Sequence, residues 1–268
     1  MQLLVLLLVF CVVLLICWCL NGKQTEEAFR VPAKDINAAI IFACYHIDKY
    51  DYEFVKRWHK TATFYVVVNG DSTEWDQKVK SLDNVRYAIR ENEGYDVGAW
   101  KDAMKRWGNE LKNYDTVVFS NNSCIYALDL RDFLTKADGY DMYGLYPHSR
   151  VKYALLRVFD KKFRFLHTYF IAIGKSLYNS KDFKDYWDDL PVIKTHDEAC
   201  VRHECRFSDY FDALGYRIGV YIYPVKAEWV YDDDPRQDNA PYKREFVKRK
   251  ADDSTIKRFV ESVYKRRQ

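Results

Sequence analysis

At 268 residues the chain has room for one substantial domain or two small ones, and with 49% of residues apolar and 17% aromatic it can build a packed core and still present aromatic faces for stacking on sugars or bases. A net charge of only +3 gives no electrostatic footprint for nucleic-acid binding. The seven cysteines (Cys11, Cys17 and Cys19 near the start, then Cys44, Cys124, Cys200 and Cys205) are too scattered for a disulfide framework and read as core residues of a reducing compartment.

Residues 3–20 contain no charged side chain. With Met1 and Gln2, a helix here would span roughly 30 Å, about the thickness of a hydrocarbon core. No basic segment precedes it and no small-x-small cleavage site follows, so residues 1–20 are expected to form a retained single-pass transmembrane anchor. Lys23, Arg30 and Lys34 come after this segment and no Lys or Arg before it, which favours a cytoplasmic-facing domain. A luminal type II arrangement in the endoplasmic reticulum or Golgi is the alternative. Residues 21–36 form a polar stalk containing Pro32, the domain occupies 37–250, and 251–268 is a basic C-terminal helix or tail.

Within the domain, 38–45 is a continuous apolar run of strand length. Residues 52–60 carry Phe54, Val55 and Trp58 at helical spacing, and 63–68 is a second buried-type strand ending at Asn69-Gly70-Asp71. Strand, helix and strand with unbroken apolar strands mark a mostly parallel sheet covered on both faces, an α/β domain with flanking helices. A short strand over 85–89 leads into a polar, glycine-punctuated loop. A helix follows over 99–111, with Trp100, Met104, Trp107 and Leu111 on one stripe. The pattern then predicts a strand over 117–120, a helix over 128–136 and a strand over 142–145. Residues 147–164 are basic and aromatic without a period and read as a loop over the site. A strand over 165–173, helices over 176–187 and 197–214, and a last strand over 216–223 complete the domain.

The chemistry gathers in two places. Arg90-Glu91-Asn92-Glu93-Gly94-Tyr95-Asp96-Val97-Gly98-Ala99-Trp100 is a loop opening a helix, and Thr116-Val117-Val118-Phe119-Ser120-Asn121-Asn122-Ser123 is a strand ending in small polar side chains. A helix N-terminus beside the C-terminal end of a strand is where open α/β sheets bind nucleotides. Gly94 and Gly98 permit close backbone approach, and Asn92 and Asp96 can hold a ribose or orient a phosphate, although Asp96 also reads as a helix cap. Asp71 is placed to contact base or ribose, or is simply a turn residue. Asn121-Asn122-Ser123 stands where a metal-binding pair of aspartates is expected. Its neutral oxygens, Asn121 and Ser123 being the candidates, are weak ligands, so Mn²⁺ or Mg²⁺ use and metal independence are both consistent with it. On the helix over 197–214, Glu204 is the expected general base, with a pKa raised by burial. His196, Cys200, His203 and Cys205 raise a zinc reading, but 205 falls off the face that the others share.

These residues resemble the rhamnan synthesis protein F family, glycosyltransferase-like proteins of polysaccharide pathways. The likeness runs from Arg90–Lys101 and Tyr114–Ser123 through His167-Thr168-Tyr169-Phe170, Phe183-Lys184-Asp185-Tyr186-Trp187 and His203-Glu204 with Gly215-Tyr216 to Pro241-Tyr242-Lys243-Arg244-Glu245. It implies a GT-A-like nucleotide-sugar fold. There the loop Asn92–Asp96 lies under the nucleotide, Asn121–Ser123 stands at the diphosphate, and His167 and Glu204 face donor and acceptor. Family members often carry Asn-Asp-Ser at the diphosphate, so Asn122 removes the charged ligand.

The expected function is therefore a membrane-anchored glycosyltransferase moving a sugar such as rhamnose from a nucleotide-sugar donor to a growing glycan, inverting, with a carboxylate base. The alternative is a catalytically degenerate module that binds glycan or nucleotide sugar at a membrane. A hydrolase is disfavoured, because no paired carboxylates stand at recognisable spacing.

Overall fold

Ala38–Cys44 (β1) is buried along its whole length, and its side chains divide strictly by parity. Ala38, Ile40, Phe42 and Cys44 enter one core, while Ala39, Ile41 and Ala43 enter another on the opposite face. A strand whose two faces both exclude water must be apolar throughout, which is why the sequence shows an unbroken run rather than an alternation. Burying each large apolar side chain contributes about 1.5–3 kcal/mol, so β1 is the spine of the domain.

The computed structural model describes residues 35–148, 165–222, 246–249 and 253–265. The chain divides into Met1–Asp35 and Ile36–Gln268, and the second unit carries the fold. The segment expected to be the anchor and most of the basic loop over 147–164 lie outside the described residues. Among the described residues no helix is long and apolar enough to cross a membrane. The expectation of a single-pass membrane protein is corrected to this extent: the helices that the structure describes do not support it.

After β1 come Lys49–Trp58 (α1), Thr63–Val68 (β2), Glu74–Lys80 (α2), Val85–Ile89 (β3), Tyr95–Leu111 (α3) and Thr116–Asn121 (β4). Cys124–Tyr126 (β5), Leu130–Ala137 (α4), Met142–Gly144 (β6), Pro147–His148 (β7), Phe165–Leu166 (β8) and Phe170–Gly174 (β9) follow. The last part holds Lys175–Tyr178 (α5), Lys181–Asp189 (α6), His196–Glu198 (α7), a π-helical turn Ala199–Glu204, Cys205–Ala213 (α8), Ile218–Val220 (β10), Phe246–Lys248 (β11) and Asp253–Lys265 (α9).

The central sheet runs β10-β6-β9-β4-β1-β2-β3. All its pairings are parallel except those of β9, which is antiparallel to both β4 and β6. The mixed α/β, mostly parallel architecture is thus the one expected. From β1 the chain steps outward to β2 and β3, then returns to place β4 on the other side of β1. That reversal opens a crevice at the C-terminal ends of β1 and β4.

Several expected elements are altered by particular interactions. The strand expected over 165–173 breaks at His167–Tyr169 into β8 and β9, and the helix over 176–187 breaks at Asn179-Ser180, where Ser180 caps α6 through the Phe183 N–H at 3.0 Å. The helix α2 was not expected; it is short, but Thr73 and Asp76 form a capping box and Val79 anchors it in the core. The strands β5 and β11 were also missed, because each is three residues long and they exist only by pairing with each other.

Candidate functional site

The loops after β1, β2, β3 and β4, with the turn before β9, meet at the C-terminal edge of the parallel strands. Register fixes how they meet. Ala43 lies opposite Asn121, Cys44 opposite Val68, Val68 opposite Ile89 and Ser120 opposite Phe170. Backbone bonds extend the seam past the strands: Asn122 N–H donates to Ala43 O at 3.1 Å and Asn121 N–H to Tyr169 O at 3.2 Å.

The loop before α3 is held from below by Arg90. Its guanidinium donates to Asn69 Oδ1 and to Glu93 O, each at 2.8 Å, and to Asp102 Oδ2 at 2.9 Å. Asn69 Nδ2 in turn donates to Tyr95 O at 3.0 Å. Gly94 has φ +77°, and Tyr95 follows it at φ +55°, a left-handed conformation that costs a non-glycine residue about 1–3 kcal/mol. Gly98 is required for a different reason: a Cβ there would stand 2.0 Å from Glu93 O. The glycines therefore let the loop fold down onto the first turn of its own helix.

That fold delivers Asp96 to the end of β4, where its Oδ2 accepts from Asn121 Nδ2 at 2.6 Å. Burial pushes the Asp96 carboxyl up to about 6; the Asn121 hydrogen bond works against this and the nearby Glu204 charge adds to it. Asp96 caps nothing: the N-cap of α3 is Gly94, with no side-chain bond. Asn121 Oδ1 receives the Ser123 N–H at 3.0 Å, so its amide is engaged at both ends. Asn122 turns away, donating to His46 O at 2.9 Å and Asp51 Oδ2 at 3.3 Å. Asp71 and Asn92 are exposed on the flanking loops. Asp71 also contributes its carbonyl to His46 Nδ1 at 3.2 Å.

On the other side of the crevice, His167 Nδ1 and Glu204 Oε1 are 2.9 Å apart. The His167 ring stacks on Tyr169, with centroids 4.9 Å apart. Burial alone would raise the Glu204 carboxyl, but the His167 hydrogen bond and charge, the Lys248 charge and the Thr168 N–H together hold it below the usual carboxylate range. The expected upward shift of Glu204 is thus reversed, whereas that of Asp96 across the crevice is upward.

The π-helical turn explains why Glu204 faces the site. One extra residue in a turn rotates everything beyond it by about 100°. His203 is thereby driven into the core, its Nδ1 3.0 Å from Tyr186 Oη and its ring beside Trp100, Trp187 and Phe207. Burial drops its pKa to about 3. Of the residues of the zinc reading, His196 Nδ1 and Cys200 Sγ lie 3.8 Å apart. Among the described residues no group of three or more His, Cys, Asp and Glu could hold a metal ion.

Sequence reasoning missed a second polar cluster beneath the motif. Asp48 caps α1, accepting from Tyr50 and Asp51 N–H at 2.7 and 3.1 Å. Arg249, just past β11, pairs with both Asp48 and the buried Asp51, and its own N–H donates to Ser123 O at 3.0 Å. Burial pushes Asp51 up to about 7, with Arg249 opposing and Asp48 reinforcing the shift. Asp48 and Asp51 look like ordinary first-turn residues in the sequence, and Arg249 sits in a basic tail without period.

The protein is thus an open, mostly parallel α/β sheet with polar loops and two engaged carboxylates at its strand-order reversal. The chain belongs to the rhamnan synthesis protein F family, whose model matches residues 64–250. No curated protein matches it. Among solved structures it is similar to the glycosyltransferase GlyE of Streptococcus pneumoniae TIGR4, with TM-score 0.38 and 10% identity over 69% of this chain and 45% of that one. It is also similar to HddC from Yersinia pseudotuberculosis, with TM-score 0.38 and 12% identity over 69% of this chain and 90% of that one. A second structure of HddC, complexed with GMP-PN, has TM-score 0.34 and 13% identity over 69% of this chain and 91% of that one. The chain spans less than half the length of the GlyE chain. Likenesses of this depth do not carry an activity from one protein to another.

Proposed function

We propose that this protein transfers a sugar from a nucleotide-sugar donor to a growing glycan, with inversion at the anomeric carbon. The observation that supports it best is the meeting of Asp96–Asn121 and His167–Glu204 at the edge where the strand order reverses, in a chain of the rhamnan synthesis protein F family. The family description makes rhamnose donors the first to try.

In this reading the nucleotide lies across the loops of Asn92, Gly94 and Gly98, with Asp71 towards base or ribose. Asn121 and Ser123 line the diphosphate side, with Asn122 turned onto His46 and Asp51. Glu204 takes the proton of the acceptor hydroxyl as its oxygen attacks the anomeric carbon, and the bond to the diphosphate breaks with its electron pair leaving on a phosphate oxygen. A depressed carboxylate is a weaker base than one near neutrality, but it stays ionised through mildly acidic pH. His167 positions it. Asp96, already pushed up to about 6, would be raised further by an incoming anion and could then donate a hydrogen bond to a phosphate oxygen. For Mn²⁺ or Mg²⁺ the fit is poor, because the motif offers only neutral oxygens and the Asn121 carboxamide oxygen already accepts the Ser123 N–H. The transfer as proposed uses no metal ion.

The test offers the full chain a panel of nucleotide sugars, with and without Mn²⁺, and reads free nucleotide beside Asp96→Asn and Glu204→Gln. Release from one donor, lost in Glu204→Gln and reduced in Asp96→Asn, is expected. Release that is indifferent to Glu204→Gln would refute the assignment of the base. The turning of Asn122 onto Asp51 and His46, where the family often has a carboxylate, supports a second reading, a binding module without turnover. Nucleotide-sugar binding with no release from any donor, acceptor glycans present, would favour it.

A further inference from the structure

A donor diphosphate brings more than one negative charge to a crevice lined by Asn121, Asp96, Glu204 and His167, whose ring is already engaged with the Glu204 carboxylate. Transfer is accelerated by positive charge or oriented donors placed where the leaving charge develops. Among the described residues, two arginines at this edge are committed elsewhere, Arg90 beneath the glycine loop and Arg249 on Asp48 and Asp51.

The strand β11 supplies another cation. It pairs antiparallel with β5, setting Lys248 opposite Cys124, one residue beyond the Asn121–Ser123 motif. Alternation along β11 puts Phe246 and Lys248 on one face and Val247 on the other. Val247 joins the small cluster with Ile125 and Phe259. Phe246 packs against Tyr169, with centroids 5.3 Å apart, and Lys248 Nζ lies 5.7 Å from the same Tyr169 ring. Tyr169 stacks on His167 and His167 meets Glu204, so the ammonium, the two rings and the carboxylate proposed as base form one contiguous series. The Arg249 clamp fixes the strand that carries it, through Asp48, Asp51 and Ser123 O.

We propose that Lys248 is the diphosphate-binding cation of this site: its ammonium, delivered by β11 to the end of β4, contacts the donor diphosphate and neutralises the leaving group as the glycosidic bond breaks. The assignment rests on the nucleotide-sugar reading above. The lowered Glu204 pKa agrees with it, since the Lys248 charge is among its causes. The basic side chain is thus contributed by a strand held beside the motif by its pairing with β5, more than a hundred residues after the motif that it serves.

The test is equilibrium binding in EDTA of inorganic pyrophosphate, UDP, GDP and dTDP, with the matching nucleosides, to the full chain and to Lys248→Met, Lys248→Gln and Lys248→Arg. The expected result is a loss of about ten-fold in nucleoside-diphosphate and pyrophosphate affinity in the Met and Gln variants, near-retention in Arg, and unchanged nucleoside affinity. Having both Met and Gln keeps the test open if one of them melts. Folded Met or Gln protein that binds nucleoside diphosphates as tightly as wild type overturns the assignment of Lys248 alone. Wild-type protein that binds no nucleoside diphosphate overturns the donor reading, and the assignment with it.

Discussion

Replacing Gly98 by alanine isolates the packing of the glycine loop on α3. In an open helical position the change would stabilise by up to about 1 kcal/mol, because alanine is the better helix former. Here the new Cβ would meet Glu93 O at 2.0 Å and Glu93 C at 3.1 Å, about 1.4 Å inside the 3.4 Å limit of ordinary contact. The obstacle is backbone, and Arg90 Nη2 pins that same carbonyl at 2.8 Å, so it cannot swing away cheaply. Overpacking of this kind costs about 1–3 kcal/mol, and the lost Arg90 bond adds to it. A net loss of about 2–3 kcal/mol is expected, which for a domain of this size is a fall in Tm of roughly 5–10 °C. Gly108, ten residues along the same helix, is the internal control: its Cβ would meet nothing within 4 Å, and Gly108→Ala is expected to raise Tm by about 2 °C. Thermal unfolding followed by circular dichroism reads both. If Gly98→Ala matched Gly108→Ala in sign, the close approach of loop and helix would not exist in solution.

Two further outcomes follow from the buried charges. Asp96 titrates near 6 in the folded protein against an ordinary 3.8, so the folded state holds the proton that the unfolded chain releases, and this group's contribution to stability falls as pH rises from about 4 to 6. Asp96→Asn should remove that decline, a difference on the order of 1–3 kcal/mol across the window, and denaturant midpoints of the two proteins that run parallel from pH 4 to 7 would contradict the shift. Arg249→Met strips the countercharge from buried Asp51 and should cost about 3–5 kcal/mol near pH 8, less near pH 5 where Asp51 is protonated. Adding Asp51→Asn should recover part of the loss, and a double variant no more stable than Arg249→Met would show that the ion pair is not the cause.

The outline of the site was legible because its signals are local. Gly94 and Gly98 announce a close turn by their residue type, and Asn121–Ser123 announces a strand end by the abrupt loss of apolar side chains. Glu204 could be found as one of several polar residues on an amphipathic helix, but its environment could not. A continuous helix over 197–214 would have put His203 and Glu204 elsewhere; the π-helical turn, invisible in an amphipathic pattern, rotates one into the core and the other onto His167. The expected rise in the Glu204 pKa failed for the same reason, since the histidine and lysine that lower it come from distant segments.

Strand after strand, the sequence by itself determined a parallel sheet buried on both faces, because each side chain in such a strand must be apolar whichever face it meets. It also determined that polar loops stand at the strand ends. Tertiary structure alone decided which polar groups face one another: Asp96 and Asn121 are 25 residues apart, His167 and Glu204 37, and Asp51 and Arg249 198. Periodicity reports only the face of a residue's own element, whereas a hydrogen bond and the pKa that it shifts depend on a partner brought within about 3 Å by register, helix phase and chain return.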